Sequence, residues 1–226
     1  MKSNFLFVLL LISTFHIMEA QSFVVQYEYE KRVMKDSSET VSQNVYLNID
    51  KEQSMFFSEA PYLADSIMTA DEEKGKKINF KALPVDILTC FIQKKLSKKE
   101  VTYYSNEFIE HEYKYVEKPL FNWKISDEAK DILGYKTYLA TTNYAGRNYI
   151  AYYTPEIPVQ EGPYKFFGLP GLILEVFDDK KDHHFLAIGI SKEKKINVDN
   201  QLSRRKFIET SKKSLLKSEK IIKKLL

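Results

Sequence analysis

Residues 152–177 read YYTPEIPVQEGPYKFFGLPGLILEVF, and four of the chain's seven prolines and three of its seven glycines fall inside this stretch. Backbone restriction is concentrated here, whereas the rest of the 226 residues is punctuated sparsely. In Leu169-Pro170-Gly171-Leu172, proline presets φ near about −65° at the second turn position and glycine accepts φ > 0 at the third, which predicts a type II turn. Leu172-Ile173-Leu174 then runs into Glu175-Val176-Phe177, a β-prone sequence apolar enough to predict a strand buried on both faces. Upstream, Thr154-Pro155 and Ile157-Pro158 force extended backbone before each proline, and Glu161-Gly162-Pro163 adds a bend. The stretch therefore reads as a strand, a rigid irregular excursion and a second strand.

Outward from it, the chain alternates with period two. Phe23, Val25, Tyr27 and Tyr29 fall on one strand face, with Gln26, Glu28 and Glu30 on the other. Val45, Leu47 and Ile49 repeat the pattern, and residues 55–57 suggest a third short strand. Residues 60–77 lose any clean period and read as a loop or short helix. Further short runs at 87–92, 101–104, 108–116, 123–125, 136–144 and 147–153 favour an antiparallel meander. Residues 126–134 fit either a serine-capped helical turn or a connection between paired strands. After the polar turn 178–182, the run 183–190 makes a hairpin with the strand from Leu172 the economical topology.

The hexapeptide Gly168-Leu169-Pro170-Gly171-Leu172-Ile173 is preceded by Tyr153-Thr154-Pro155-Glu156-Ile157-Pro158 and by Gly162-Pro163-Tyr164-Lys165-Phe166. Together with Trp123-Lys124-Ile125, Ile132-Leu133-Gly134-Tyr135 and Gly146-Arg147, this order of motifs resembles the GLPGLI family of exported proteins from the Bacteroidetes. The resemblance runs over residues 123–177 and more loosely over the N-terminal third. It implies an envelope or secreted protein, and it transfers no catalytic residue.

Residues 1–20 read as a signal peptide, with Lys2 as the positive region, 5–15 as the apolar region and a cut after Ala20. A periplasmic or secreted location follows, and lipidation is not expected because the only cysteine, Cys90, lies far from the cut. One cysteine forms no internal disulfide, so stability must come from a core. A 44% hydrophobic composition with 15 Tyr and 15 Phe supplies one. Cys90 itself reads as a small buried hydrophobe. The domain is expected over residues 21–190. Residues 191–226 differ sharply, with twelve Lys or Arg against four Asp or Glu. Phe207 or Ile208, Leu215, Ile222 and Leu226 predict an amphipathic helix from about Ser203. Its apolar stripe packs on the sheet, or it lies on an anionic membrane surface or a partner; nucleic acid is not expected.

Signals of chemistry are thin. No phosphate loop or nucleophile elbow occurs, and no helix carries two histidines at metal-ligand spacing, so neither metal nor cofactor is expected. His183 and His184 would point to opposite faces of a strand, with the His184 ring in solvent. Glu175, amid Leu174 and Val176, reads as a buried carboxylate with a raised pKa, as the ion-pair partner of Arg147 or Lys165, or as a strand-edge residue. Arg147, Tyr149 and Tyr153 share one strand face and, with Tyr164, Glu156 and Glu175, form the candidate ligand-binding set.

These readings combine into a mainly β fold of α+β type. It is a single curved antiparallel sheet or partial barrel covering a C-terminal helix, with the 168–173 motif as a rigid loop on the rim or across the mouth. The function expected is non-catalytic recognition, in the cell envelope, of an apolar or aromatic ligand or a protein segment on an aromatic concave face. One rival is a hydrolase of envelope or dietary polymers using Glu156 and Glu175. The other is an accessory protein to an outer-membrane receptor, docked through the basic helix.

Overall fold

The computed structural model describes residues 22–34, 37–105, 112–192, 202–203 and 205–225. The signal-peptide reading, residues 108–111 of one expected strand, and much of the basic segment before the final helix lie outside these.

Among the described residues the strands are β1 (Phe23–Arg32), β2 (Thr40–Ile49), β3 (Ser54–Ser58), β4 (Cys90–Lys95), β5 (Glu100–Ser105), β6 (Glu112–Glu117), β7 (Lys124–Ile132), β8 (Tyr135–Tyr144), β9 (Arg147–Thr154), β10 (Leu172–Asp178), β11 (His183–Ser191) and β12 (Phe207–Glu209). Helices α1 (Ala60–Glu73) and α2 (Lys212–Leu225) accompany them. All twelve strands form one sheet in the order β12-β6-β5-β4-β3-β2-β1-β11-β10-β9-β8-β7. Pairing is antiparallel throughout except for the parallel β12–β6 edge.

The topology itself requires the sheet to curl. Strand β6 stands beside one edge and β7 is the other, ten spacings away, which in a flat sheet would be about 48 Å. Residues 118–123 join them directly, and so short a connection reaches only about 25 Å. The two ends must face each other, and Tyr144 of β8 approaches Glu117 of β6 to 3.5 Å. The sheet nevertheless remains open, because β7 pairs only with β8. Irregular register at Gln26/Tyr27, Ile173/Glu175 and Ile125/Ala129 supplies local bending.

Of the loop 155–171, residues 161–167 and Leu169 fill the inside of this curl, while Pro155, Glu156, Pro158, Gln160, Gly168 and Pro170 stay exposed. Phe166, Leu169, Leu172 and Ile173 are buried with Tyr27, Leu47, Phe56 and Ile92 in one core. The motif loop is therefore an internal plug and not a rim, which corrects the expectation. The reason is composition: Phe166, Phe167 and Leu169 lose more by facing water than the loop's backbone loses on burial, once its polar groups find partners.

Gly171 does not occupy a type II turn. Its φ is +156°, against roughly +80° for that turn position, and its N–H donates to the Leu169 carbonyl at 2.8 Å across a tighter bend. Glycine is required for another reason. A Cβ there would lie 2.1 Å from the Thr154 carbonyl oxygen, because Leu172 enters register opposite Thr154 at once. Strand β10 is buried on both faces as expected.

Other expectations also shift. The alternative of a helical turn at 126–134 fails: β7 runs to Ile132, and Leu133-Gly134, both at positive φ (52° and 78°), turn it into β8 as a hairpin. The expected strand at 87–92 begins only at Cys90. Residues 60–73 are helical. The C-terminal helix begins at Lys212, while Phe207 and Ile208 belong to β12. The curl encloses the loop, not this helix. Helix α2 instead buries Leu215 in the core, and its first residue reaches both ends of the sheet, through Glu117 of β6 (2.5 Å) and Tyr144 of β8 (3.4 Å).

Candidate functional site: the end cleft and the pinned loop

Alternation along β4 puts Cys90, Ile92 and Lys94 on the inner face, so Lys94 enters the core as a charge. Its ammonium meets Glu161 at 2.6 Å and donates to the carbonyls of Gly162 (2.5 Å) and Phe166 (3.3 Å). The three donors are all used. Burial pushes the Lys94 pKa down while Glu161 pulls it back up. A second lysine, Lys165, bonds the Tyr115 hydroxyl (2.7 Å) and Glu117 (2.6 Å), with Tyr103 and Tyr115 rings within 5.0 Å. Burial lowers its pKa too, opposed by Glu117. The Trp123 indole donates to the Phe167 carbonyl at 2.9 Å, and the Tyr27 hydroxyl to the Ile173 carbonyl at 2.8 Å. Three loop carbonyls, those of Gly162, Phe166 and Phe167, are thus bonded to the wall, and Tyr27 ties the start of β10 just beyond, which makes the loop a rigid floor.

The candidate residues from the sequence separate under this geometry. Arg147 pairs with Asp182 (2.7 Å) and with the fully buried Asp178 (3.3 Å), whose carboxylate also accepts the His183 N–H at 2.9 Å. Tyr149 packs its ring on Phe166 at 4.7 Å, and burial raises its pKa to about 12. Tyr153 is buried in the core, and Tyr164 stacks on Phe185. The aromatic inner face is therefore occupied by the chain's own loop and offers no open ligand platform.

Glu175 lies on the opposite sheet face. It pairs with Lys130 and accepts from His184 Nε2 at 2.9 Å, so neither Arg147 nor Lys165 is its partner. Burial pushes its carboxyl up, but the bonds from His184 and Lys130 outweigh this and hold it below its ordinary value, opposite to the expected shift. His184 is held between Glu175 and Glu30 (3.3 Å), not left in solvent. His183 faces the other way, with Nδ1 at 2.8 Å from the Tyr29 hydroxyl. Glu156 is exposed and accepts the Lys136 N–H at 3.0 Å. The structure does not bring Glu156 and Glu175 together.

What it does build is a cleft of about 1530 Å³ at one end of the curl. Ile157 and Val159 of the plug loop meet Phe23 of β1, Ile49 of β2 and Ile190 of β11 on its floor. All except Ile49, which is buried, are half-buried against the core. Lys51, Lys95, Lys98 and Lys192 stand around it, with Asp50, Glu52, Glu156 and Glu161. Of the sequence candidates only Glu156 lines it. The rest of the lining comes from strand ends, among them Phe23, Ile49 and Ile190, and from turns far apart in the chain; alternation finds the strands but not their meeting with the loop. Among the described residues there is no cluster of three or more His, Cys, Asp or Glu side chains suited to a metal ion, and no helix long and apolar enough to cross a membrane.

A model for a Bacteroidetes-associated family, described as protein of unknown function (Porph_ging), matches residues 145–175. That stretch runs from the β8–β9 turn through the plug loop to Glu175. No curated protein matches the chain. Among solved structures, PNGF-II in the C2 space group is similar at a TM-score of 0.58 and 17% identity, over 86% of this chain and 32% of that one. PNGF-II in the P21 space group gives 0.60 and 16%, over 88% and 33%. The chain spans about a third of the length of the solved chains it resembles, and the likeness is one of fold.

Proposed function

We propose that this chain is a GLPGLI-type protein of the bacterial cell envelope, exported by its N-terminal leader and acting without catalysis. Its end cleft receives an apolar ligand or an apolar protein segment. The observation that carries the reading is the cleft floor. Phe23 and Ile190 of the sheet and Ile157 and Val159 of the internally bonded loop keep part of their apolar surface open, the preorganised concave arrangement that recognition favours. Support also comes from the carboxylates: Glu161, Glu175 and Glu117 are each committed to a lysine, which leaves a poor basis for paired acid and base chemistry. The location draws on the leader-like residues 1–20, and the family reading on the match over residues 145–175.

Native mass spectrometry of the protein recovered from the periplasm, compared with its denatured mass, tests the reading. A reproducible extra mass on the wild type, absent from a folded Val159→Asp variant, is the expected result. A bare wild-type protein would remove the small-ligand form. Crosslinking in the native envelope that captures nothing through cleft positions would then remove the protein-segment form.

A further inference from the structure

The lysines of the cleft carry the reading one step further. Lys51 lies in the turn between β2 and β3, Lys95 and Lys98 beside the turn between β4 and β5, and Lys192 just past β11. All four are exposed, and among the described residues no ion pair or hydrogen bond engages their ammonium groups. Of the four carboxylates beside them only Glu161 is neutralised by an ion pair, so the four lysines exceed the remaining three carboxylates by one charge. Asp50 accepts the Ser22 hydroxyl (3.0 Å) and the Lys51 N–H (2.8 Å), Glu156 accepts the Lys136 N–H, and Glu161 is tied inward to Lys94. Among the described residues, four cations without an ion-pair partner thus stand around an apolar floor, with Glu52 an exposed carboxylate on the same rim.

We infer that the end cleft binds a single-chain anionic amphiphile, an acyl chain ending in a carboxylate or phosphate. This rests on the proposed binding role and names its ligand class. The acyl chain lies on Phe23, Ile49, Ile157, Val159 and Ile190, and the head group sits among the lysines. An extended peptide suits the site less well. The strands that reach the cleft, β1, β2, β4, β8 and β11, are each paired on both sides, and among the described residues the unpaired strand edges belong to β7 and β12, neither of which lines the cleft, so backbone pairing is not offered there. A cleft of about 1530 Å³ exceeds the roughly 300–1,000 Å³ of common ligand pockets, which leaves room for a chain together with a hydrated head.

Delipidated full-length mature protein, titrated below micelle concentrations with palmitate, palmitoyl lysophosphatidate and monopalmitoylglycerol, tests the inference. Both anions are expected to bind, with the neutral ester weaker by about tenfold and the anionic preference falling with added salt. A Lys51→Gln/Lys95→Gln/Lys98→Gln/Lys192→Gln variant, all substitutions on exposed side chains, should bind the three compounds alike at unchanged Tm. Preference for one anion over the other would tell a carboxylate head from a phosphate head. Equal binding of the ester and the anions by the wild type overturns the head-group assignment and leaves the apolar cleft standing. No acyl binding, with an extra mass still present natively, overturns the ligand class alone. No acyl binding and a bare native mass overturn both the class and the small-ligand role.

Discussion

Lys94–Glu161 and Lys130–Glu175 are the same chemical pair placed on opposite faces of one sheet. The inner pair is 0% and 2% exposed, and the outer pair 41% and 8%. The inner pair exists because the loop's carbonyls need donors in a place water does not reach. The outer one only adds to a β10 position already fixed by pairing with β9 and β11. Identical partners therefore do different work: one makes burial of an irregular loop tolerable, the other trims a regular strand.

Breaking the inner pair is the most severe test of that contrast. Lys94→Met leaves Glu161 as an uncompensated buried charge and removes donors from the Gly162 and Phe166 carbonyls. We expect a loss of about 3–5 kcal/mol, read by urea unfolding. A double variant, Lys94→Met with Glu161→Leu, should recover part of it, since the orphaned charge is gone. No recovery would place the stability in the carbonyl bonds and not in the ion pair.

Gly171→Ala comes next. The new methyl would meet backbone at Thr154 and not a movable side chain, so a cost towards the top of the roughly 1–3 kcal/mol typical of overpacking is expected, measured as a lowered Tm. An unchanged Tm would mean that the loop and β9 are looser than the inner pins imply. Lys130→Ala, on the outer face, should cost less than about 1 kcal/mol because its ammonium is partly solvated and salt-screened. A loss as large as that of Lys94→Met would erase the distinction between the faces.

The sheet was largely legible in sequence because alternation reports a half-buried strand directly: Val25, Tyr27 and Tyr29 announce β1, and the apolar run from Leu172 announces β10. The same alternation, carried from Cys90 through Ile92, points Lys94 inward, a signal that its lysine identity obscures. The bend at Gly171 was misread because proline and glycine specify a turn locally, while the conformation was decided by a strand seventeen residues earlier. The cleft was not legible at all. Pairing of β1 with β2 and β11 sets Phe23 opposite Ile49 and close to Ile190, but no pattern in the sequence shows that Ile157 and Val159 of the loop, or Lys98, come to lie beside them. The helix expected from about Ser203 exists over Leu215 and Ile222 but starts only at Lys212, because Phe207 and Ile208 fit either a helical stripe or a strand and pair with β6.

The smallest effect sharpens the contrast most, because it uses adjacent residues. Burial lowers the His183 pKa from 6.5, reinforced by Arg147, and the ring faces Tyr29 in the interior. The bonds to Glu175 and Glu30 raise that of His184 despite its partial burial. The signs of the stability terms are therefore opposite. For His184 the native state binds the proton more tightly, so its contribution is complete below pH 6.5 and is lost as pH rises through the raised value. For His183 the native state resists protonation, so stability is lost as pH falls from 6.5 through the lowered value. Glu175, lowered from 4.5, keeps its own term above pH 4.5 and loses it only on further acidification. NMR titration of the two imidazoles should give one midpoint on each side of 6.5. Glu175→Gln should move the His184 midpoint down and leave that of His183 in place. Coincident midpoints, or a shared response to that substitution, would show that the two faces of the sheet are not electrostatically separate.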